Sequence, residues 1–131
     1  MLIFGYQGLD SKRLHFISSS EDIQDSKNDC IVWFYHTSDR DFSLLKFCIH
    51  HEIACAVLVE NAIDFLLCAH FAPQFLLVRE NPQVYQSLAD SYLLDSKVLC
   101  IIKNISEIER LGTQGIDGVV LEDALRMQYF N

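Results

Sequence analysis

The sequence predicts one α/β domain over residues 1–131, arranged as an open three-layer α/β/α sandwich around a mostly parallel sheet. First, short apolar runs alternate with helix-spaced segments from residue 30 onward, a pattern typical of parallel strands joined by crossover helices. Second, the run Cys30–Tyr35 contains no charged residue, as expected of a strand that is buried on both faces. Third, five successive apolar runs each end at an ionisable residue: His36, Glu60, Arg79, Lys103 and Glu122.

These five strand-end residues are regularly spaced. They are separated by 24, 19, 24 and 19 residues, so the pattern repeats after 43 residues. Such a repeat also fits two successive quarter-barrels, which together would form a (βα) half-barrel. We favour an open sheet of the flavodoxin-like or Rossmann-like type, because regular strand–helix spacing alone produces this period, and we keep the half-barrel as the alternative.

The first part of the chain is predicted to contain three strands and one short helix. Residues 2–6 form a first strand, a turn follows, and residues 14–17 form a second strand that could pair with the first as a hairpin. A serine run then opens a short helix over residues 22–26, ahead of the strand at residues 30–35.

Strands and helices alternate strictly in the remainder. The predicted helices span residues 41–52, 61–70 and 82–94, and the predicted strands span residues 54–59, 75–78, 98–102 and 118–121. Asn81 and Pro82 suit the start of the third helix, as N-cap and first helical residue. Ser106 and Glu109 have the spacing of a capping box for a fourth helix. The tail, residues 124–131, is expected to form a short helix.

Composition and charge exclude several classes of protein. Half of the residues are hydrophobic and 21% are charged, which is typical of folded rather than disordered chains. The 10 basic and 18 acidic residues give a net charge of −8. We therefore expect no binding to nucleic acid or to an anionic membrane surface, since both attract basic proteins. The longest apolar run, residues 53–59, is too short to cross a bilayer.

The cysteines indicate a reducing compartment. Their number is odd, none forms a Cys-x-x-Cys pair, and they stand at positions 30, 48, 55, 68 and 100 within apolar or helical segments. This pattern predicts buried thiols rather than disulfides or a zinc site, and we expect no metal. No signal peptide is recognisable at the amino terminus, so we predict a cytoplasmic protein.

The strand-end residues mark the expected functional site, because ligands of parallel sheets bind at the carboxyl ends of strands. The leading interpretation is a non-catalytic module that binds a partner protein or a small anionic ligand there. The candidate ligand-binding residues are His36, Asp39, Asn61, Arg79 and Asn104. Arg79 suits an anionic group, whereas the two asparagines also fit as helix caps.

An enzymatic role is the alternative, and the sequence leaves it open. Lys103 ends an apolar strand near carboxylates, a setting that suits a Schiff base with a carbonyl substrate. Glu60 or Glu122 would then transfer protons. The alternative function is therefore a small lyase or isomerase that acts through Lys103.

No cofactor is expected. The glycines at 112, 115 and 118 follow a helix and precede a strand, the reverse of the order in a dinucleotide-binding fingerprint. The size and acidity are similar to those of bacterial receiver domains, but Tyr6-Gln7-Gly8 follows the first strand, where that family carries an acidic pair. No family is identified from these motifs.

Self-association is also expected. The chain is rich in apolar residues, and its tail carries two aromatic residues, Tyr129 and Phe130, beside one another. Exposed aromatic side chains are typical of contacts between copies of a chain, so we predict a homo-oligomer.

Overall fold

The structure is a computed structural model that describes residues 1–25 and 29–126 of the chain. The strands are β1 (Leu2–Phe4), β2 (Arg13–Phe16), β3 (Cys30–Tyr35), β4 (Cys55–Leu58), β5 (Phe75–Val78), β6 (Lys97–Ile102) and β7 (Gly118–Leu121). The α-helices are α1 (Ser43–His50), α2 (Ala62–Ala69), α3 (Pro82–Ser91), α4 (Glu107–Thr113) and α5 (Glu122–Arg126). Short 3-10 helices lie at Ser20–Asp25 and His36–Ser38.

The strands form one sheet in the order β1-β7-β6-β5-β4-β3-β2, and every pair of neighbours is parallel. From β2 to β7 each strand adds to the same side of the one before it. Right-handed crossovers that all proceed in one direction place their helices on one face of the sheet. The α/β class with a mostly parallel sheet, predicted from the sequence, is confirmed.

The face that carries α1–α4 is the convex one. Leu45, Phe65 and Tyr85, from three of these helices, pack with alternate strand residues such as Val57 and Leu76. Leu111 of α4 packs in a separate cluster with residues of β6 and β7. Burying each such side chain stabilises the fold by about 1.5–3 kcal/mol, so the helices are held mainly by this face.

The sheet curls around its opposite, concave face. The concave cluster contains residues from all seven strands and from α5: Phe4, Leu14, Ile31, Trp33, Ala56, Leu58, Phe75, Leu77, Leu99, Ile101, Val120 and Leu125. Two strands, β7 and β6, lie between β1 and β5, so the axes of β1 and β5 would be about 14 Å apart in a flat sheet. Even so, the rings of Phe4 and Phe75 lie 5.5 Å apart between centroids. The curled sheet is a half-barrel, as in the alternative drawn from the 43-residue period.

β1 and β2 do not form the hairpin considered above. They are the two edge strands, and β1 pairs with β7, where Leu2 N–H donates to the carbonyl of Asp117 at 2.9 Å. Gly118 makes this approach possible, because a Cβ there would lie 2.8 Å from the carbonyl oxygen of Leu2. Helix α5 contacts both β2 and β7, so it lies across the concave face near the gap between the edges.

At two predicted helix starts the N-cap residue is the predicted one, but its side chain does not form the capping hydrogen bond. Asn81 precedes α3 but adopts a left-handed conformation (φ 53°), and its side chain makes no capping hydrogen bond. Ser106 makes no side-chain cap either. The Glu107 carboxylate, two residues nearer the strand than that of Glu109, instead accepts the N–H groups of Lys103 and Asn104, both at 3.3 Å.

The short helix before β3 and the last helix of the chain also differ from the predicted ones. The predicted helix over residues 22–26 is the 3-10 helix Ser20–Asp25, and residue 26 lies outside the described residues. The last helix starts at Glu122, directly after β7, and the predicted contact residues Tyr129 and Phe130 also lie outside the described residues. Within the described ranges, no helix has the length and apolar character required to span a membrane.

Candidate functional site at the carboxyl ends of the strands

Side-chain alternation divides the five strand-end residues into two groups. Leu58, Leu77, Ile101 and Val120 belong to the concave cluster. Two residues further along the same segments stand Glu60, Arg79 and Lys103, which continue the phase of the concave face, and Glu122, which begins α5. We call these four residues the mouth. His36 continues the phase of Val32 and Phe34, which pack on the convex face.

An ion pair bridges the mouth from β5 to β7. Arg79 Nη1 donates to Glu122 Oε1 at 2.9 Å. Strand β6 lies between these two strands, so the pair spans the carboxyl end of β6, where Lys103 stands. The Arg79 side chain is 43% exposed and the Glu122 side chain 13%, so the arginine remains partly accessible to solvent.

A cleft of about 320 Å³ adjoins the mouth between β4, β5 and the start of α3. It is lined by Val59, Glu60, Arg79, Glu80, Asn81 and Tyr85. Two carboxylates, a guanidinium and an amide thus face one small volume. Burial raises the pKa of Tyr85, so its hydroxyl stays neutral and able to donate a hydrogen bond. Lys103 and Glu122 do not line this cleft.

A second polar cluster lies under α2 on the convex side and centres on Asp64, which is 6% exposed. Asp64 Oδ2 lies 3.3 Å from Arg40 Nη1, and Asp64 Oδ1 lies 3.7 Å from His36 Nε2. Asn61 caps α2 as predicted, because its Oδ1 accepts the N–H of Asp64 at 2.8 Å. These contacts balance a buried carboxylate, and they place His36 and Asn61 apart from the mouth.

His36 itself is buried and stacks on Phe42, with 5.1 Å between ring centroids. Its Nδ1 has no hydrogen-bond partner in the described structure. Asp39, a predicted neighbour in the same site, points elsewhere: its carboxylate accepts the N–H of Leu44 at 2.8 Å and of Leu45 at 3.0 Å. Asp39 therefore caps α1.

Asn104 organises the loop between β6 and α4. Its Oδ1 accepts the N–H of Ser106 at 3.0 Å, while its own N–H donates to Glu107. The structure thus brings Arg79 and Glu122 into direct contact and Glu60 into the adjoining cleft, and it uses Asn61, Asn104 and Asp39 near helix starts.

Two polar residues of these sites, Asp64 and Tyr85, were not among the residues that the sequence predicts at the strand ends. The Asn61-x-x-Asp64 spacing could have identified Asp64, because a carboxylate three residues after an N-cap can bond to the cap residue, and Asn61 Nδ2 donates to Asp64 Oδ2 at 3.1 Å. No local pattern singles out Tyr85, whose position depends on the packing of α3. Among residues 1–25 and 29–126, no group of three histidine, cysteine or acidic residues could hold a metal ion.

Comparison of the chain with protein-family models gives no match, and comparison with curated proteins also gives none.

Proposed function

We propose that this protein is a non-catalytic binding module that takes a small polar ligand at the mouth and its adjoining cleft. The observation that carries the proposal is the cleft of about 320 Å³, a volume typical of small-molecule sites, at the end of the sheet where such sites lie. The Arg79–Glu122 ion pair supports it, because the pair fixes the guanidinium at the cleft wall.

The charges of the cleft favour a ligand that carries both signs. Arg79 suits the carboxylate or other anionic group expected from the sequence. Glu60 and Glu80 also line the cleft, so an anion alone would meet two like charges. A small amino acid-like zwitterion satisfies all three side chains, with its ammonium group near the two glutamates.

The test is a thermal-shift screen of α-, β- and γ-amino acids and of matched dicarboxylates, followed by calorimetry on the best ligand. We expect Arg79→Gln and Glu60→Gln each to weaken binding about tenfold, since each removes one charge-assisted hydrogen bond. Arg13→Gln and Glu109→Gln change the same charges at exposed sites elsewhere and serve as controls. Equal affinities in all four variants would contradict the proposal.

The lyase or isomerase activity remains the second candidate, and one observation favours it. Lys103 stands at the end of β6, between the two strands that the Arg79–Glu122 pair joins. Borohydride trapping with small keto acids and aldehydes, read by intact mass, tests it. An adduct that forms on the wild type and is absent from Lys103→Ala supports the enzyme; equal adducts on both proteins rule out the reactive lysine.

We further propose that the protein is cytoplasmic and that a second copy docks on α2. Ile63, Leu66 and Leu67 are exposed on this helix, and its single charged residue, Asp64, is buried. Two chains of charge −8 approach most easily through such an uncharged surface. The five unpaired thiols suit a reducing compartment.

The self-association is tested by analytical ultracentrifugation of the wild type and of Leu67→Glu. We expect a dimer that becomes a monomer in the variant, while Val84→Glu, a matched change on α3, identifies whether the contact extends to that helix. A monomeric wild type at high concentration rules out self-association.

A further inference from the structure

The end of the half-barrel opposite the mouth contains a separate cavity. It has a volume of about 530 Å³ and lies at the amino ends of the strands, where Leu2, Phe4, Ile31 and Phe75 form its apolar walls. Phe4, Ile31 and Phe75 belong to the concave cluster, so the cavity opens onto the interior of the curled sheet. We call it the amino-end cavity.

Two lysines line this cavity, and each stands two residues before a strand residue that faces the concave side. Lys97 precedes Leu99 by two positions in β6 and stands beside Phe75 in the strand register. Lys12 precedes Leu14 of β2 by two positions. Leu99 and Leu14 both belong to the concave cluster. Alternation therefore places two cations where the concave face otherwise carries apolar side chains.

The charge balance of the cavity is opposite to that of the whole chain. Lys12 and Lys97 line it together with one acidic residue, Asp95, whereas the chain as a whole carries a charge of −8. An apolar cavity with a few convergent polar groups is the usual form of a small-molecule site. Apolar walls suit a hydrocarbon or aromatic body, and two ammonium groups suit an anionic head.

We propose that the amino-end cavity is a second binding site, which takes an amphipathic carboxylate with an apolar body. The apolar body packs against Phe4, Ile31 and Phe75, and the carboxylate lies between Lys12 and Lys97. This site is independent of the mouth, because the two lie at opposite ends of the strands and share no lining residue.

The experiment measures the affinity of octanoate, with octan-1-ol as the uncharged analogue, by calorimetry. Wild-type protein is expected to bind octanoate more tightly than octanol, and Lys12→Gln/Lys97→Gln to lose about tenfold in octanoate affinity while octanol affinity stays the same. Added salt weakens octanoate binding to the wild type for the same reason. Lys46→Gln on α1 removes the same charge away from the cavity and keeps wild-type affinity.

The location of the bound probe completes the test. In ¹H–¹⁵N spectra, octanoate is expected to shift the backbone signals of Phe75 and Lys97 at the amino ends of β5 and β6. Absence of saturable binding, equal affinity in the double-lysine variant, or shifts confined to the mouth would each overturn the proposal. Since octanoate binding does not involve Arg79 or Glu60, its failure leaves the proposed zwitterion site unaffected.

Discussion

At the scale of single residues, Asp39 shows how one buried carboxylate fixes the start of a helix. It is 5% exposed, and its two oxygens accept the N–H groups of Leu44 and Leu45. We expect Asp39→Ala to lower the free energy of unfolding by about 2 kcal/mol, because it leaves two helix N–H groups without their acceptor. Urea denaturation followed by circular dichroism measures this loss.

Asp41 provides the matched control for that prediction. It is an exposed aspartate two residues further on, and its carboxylate accepts the N–H of Ser43 at 3.1 Å. Asp41→Ala removes the same charge from the same loop and should cause a clearly smaller loss. Similar losses of unfolding free energy in the two variants would mean that the buried Asp39 cap stabilises the fold no more than the exposed Asp41 does.

The same residue scale shows what could be known of the site from the sequence. That charged residues collect at the carboxyl ends of the strands follows from the strand pattern alone. Separating His36 from the other four needs the strand register as well, because Cys30–Tyr35 is apolar on both faces and alternation alone does not show which face is concave. The Arg79–Glu122 pair could not be predicted, because it depends on how far the sheet curls across β6.

At the scale of elements, α5 is held against the turn after β1 through one glycine. Gly5 has φ +90°, and a Cβ at that position would lie 2.6 Å from the Cβ of Ala124. We expect Gly5→Ala to lower the free energy of unfolding by about 3 kcal/mol, through backbone strain and displacement of α5. Thermal or urea denaturation tests this expectation.

A substitution at Gly8 separates the effect of backbone strain from that of displacing α5. Gly8 also has a positive φ, +98°, but a Cβ there meets nothing within 4 Å. Gly8→Ala should therefore show the strain alone, about 1 kcal/mol. Ala124→Gly removes the side chain that a Cβ at residue 5 would meet, so combining it with Gly5→Ala should recover part of the stability lost beyond backbone strain. Strictly additive losses in this double-mutant cycle would show that the two residues do not touch.

Most elements were predictable because their patterns are local. The run Cys30–Tyr35 is a strand with the predicted bounds, and the apolar run ending at Val78 also has its predicted bounds. The pairing of β1 was not predictable, since it depends on Gly118, which is distant in sequence.

At the scale of the whole molecule, the buried thiols should make the protein less stable at alkaline pH. Burial raises the pKa of Cys68 to about 12 and that of Cys100 to about 11. A hydrogen bond with Cys48, together with burial, raises the pKa of Cys55. Above the ordinary thiol pKa of about 8.5, the unfolded chain loses protons that the folded chain keeps, so stability falls as pH rises.

The loss of stability from each such thiol should rise from about 0.7 kcal/mol per pH unit at about pH 8.5 towards about 1.4 kcal/mol per pH unit at about pH 10. Urea denaturation under reducing conditions across this range measures the slope. We expect Cys68→Ala/Cys100→Ala to flatten the slope by roughly 2–3 kcal/mol per pH unit relative to the wild type. Parallel slopes for the two proteins would show that these thiols ionise equally in both states.

The curvature of the sheet is the global property on which the proposed site depends. Local patterns specify the strands and their parallel direction, but the closeness of Phe4 and Phe75 results from seven strands packing around one concave core. This curvature forms the concave face whose carboxyl end carries the mouth. It also gives the half-barrel two chemically different ends, one with carboxylates around an arginine and one with two lysines around an apolar cavity.

The most direct test of this account is a ¹H–¹⁵N chemical-shift titration of the protein with the amino acid panel. We predict saturable shifts that cluster at the carboxyl ends of β4, β5 and β7, around Glu60, Arg79 and Glu122. Shifts that are absent for every ligand, or that cluster away from the mouth, would contradict the account.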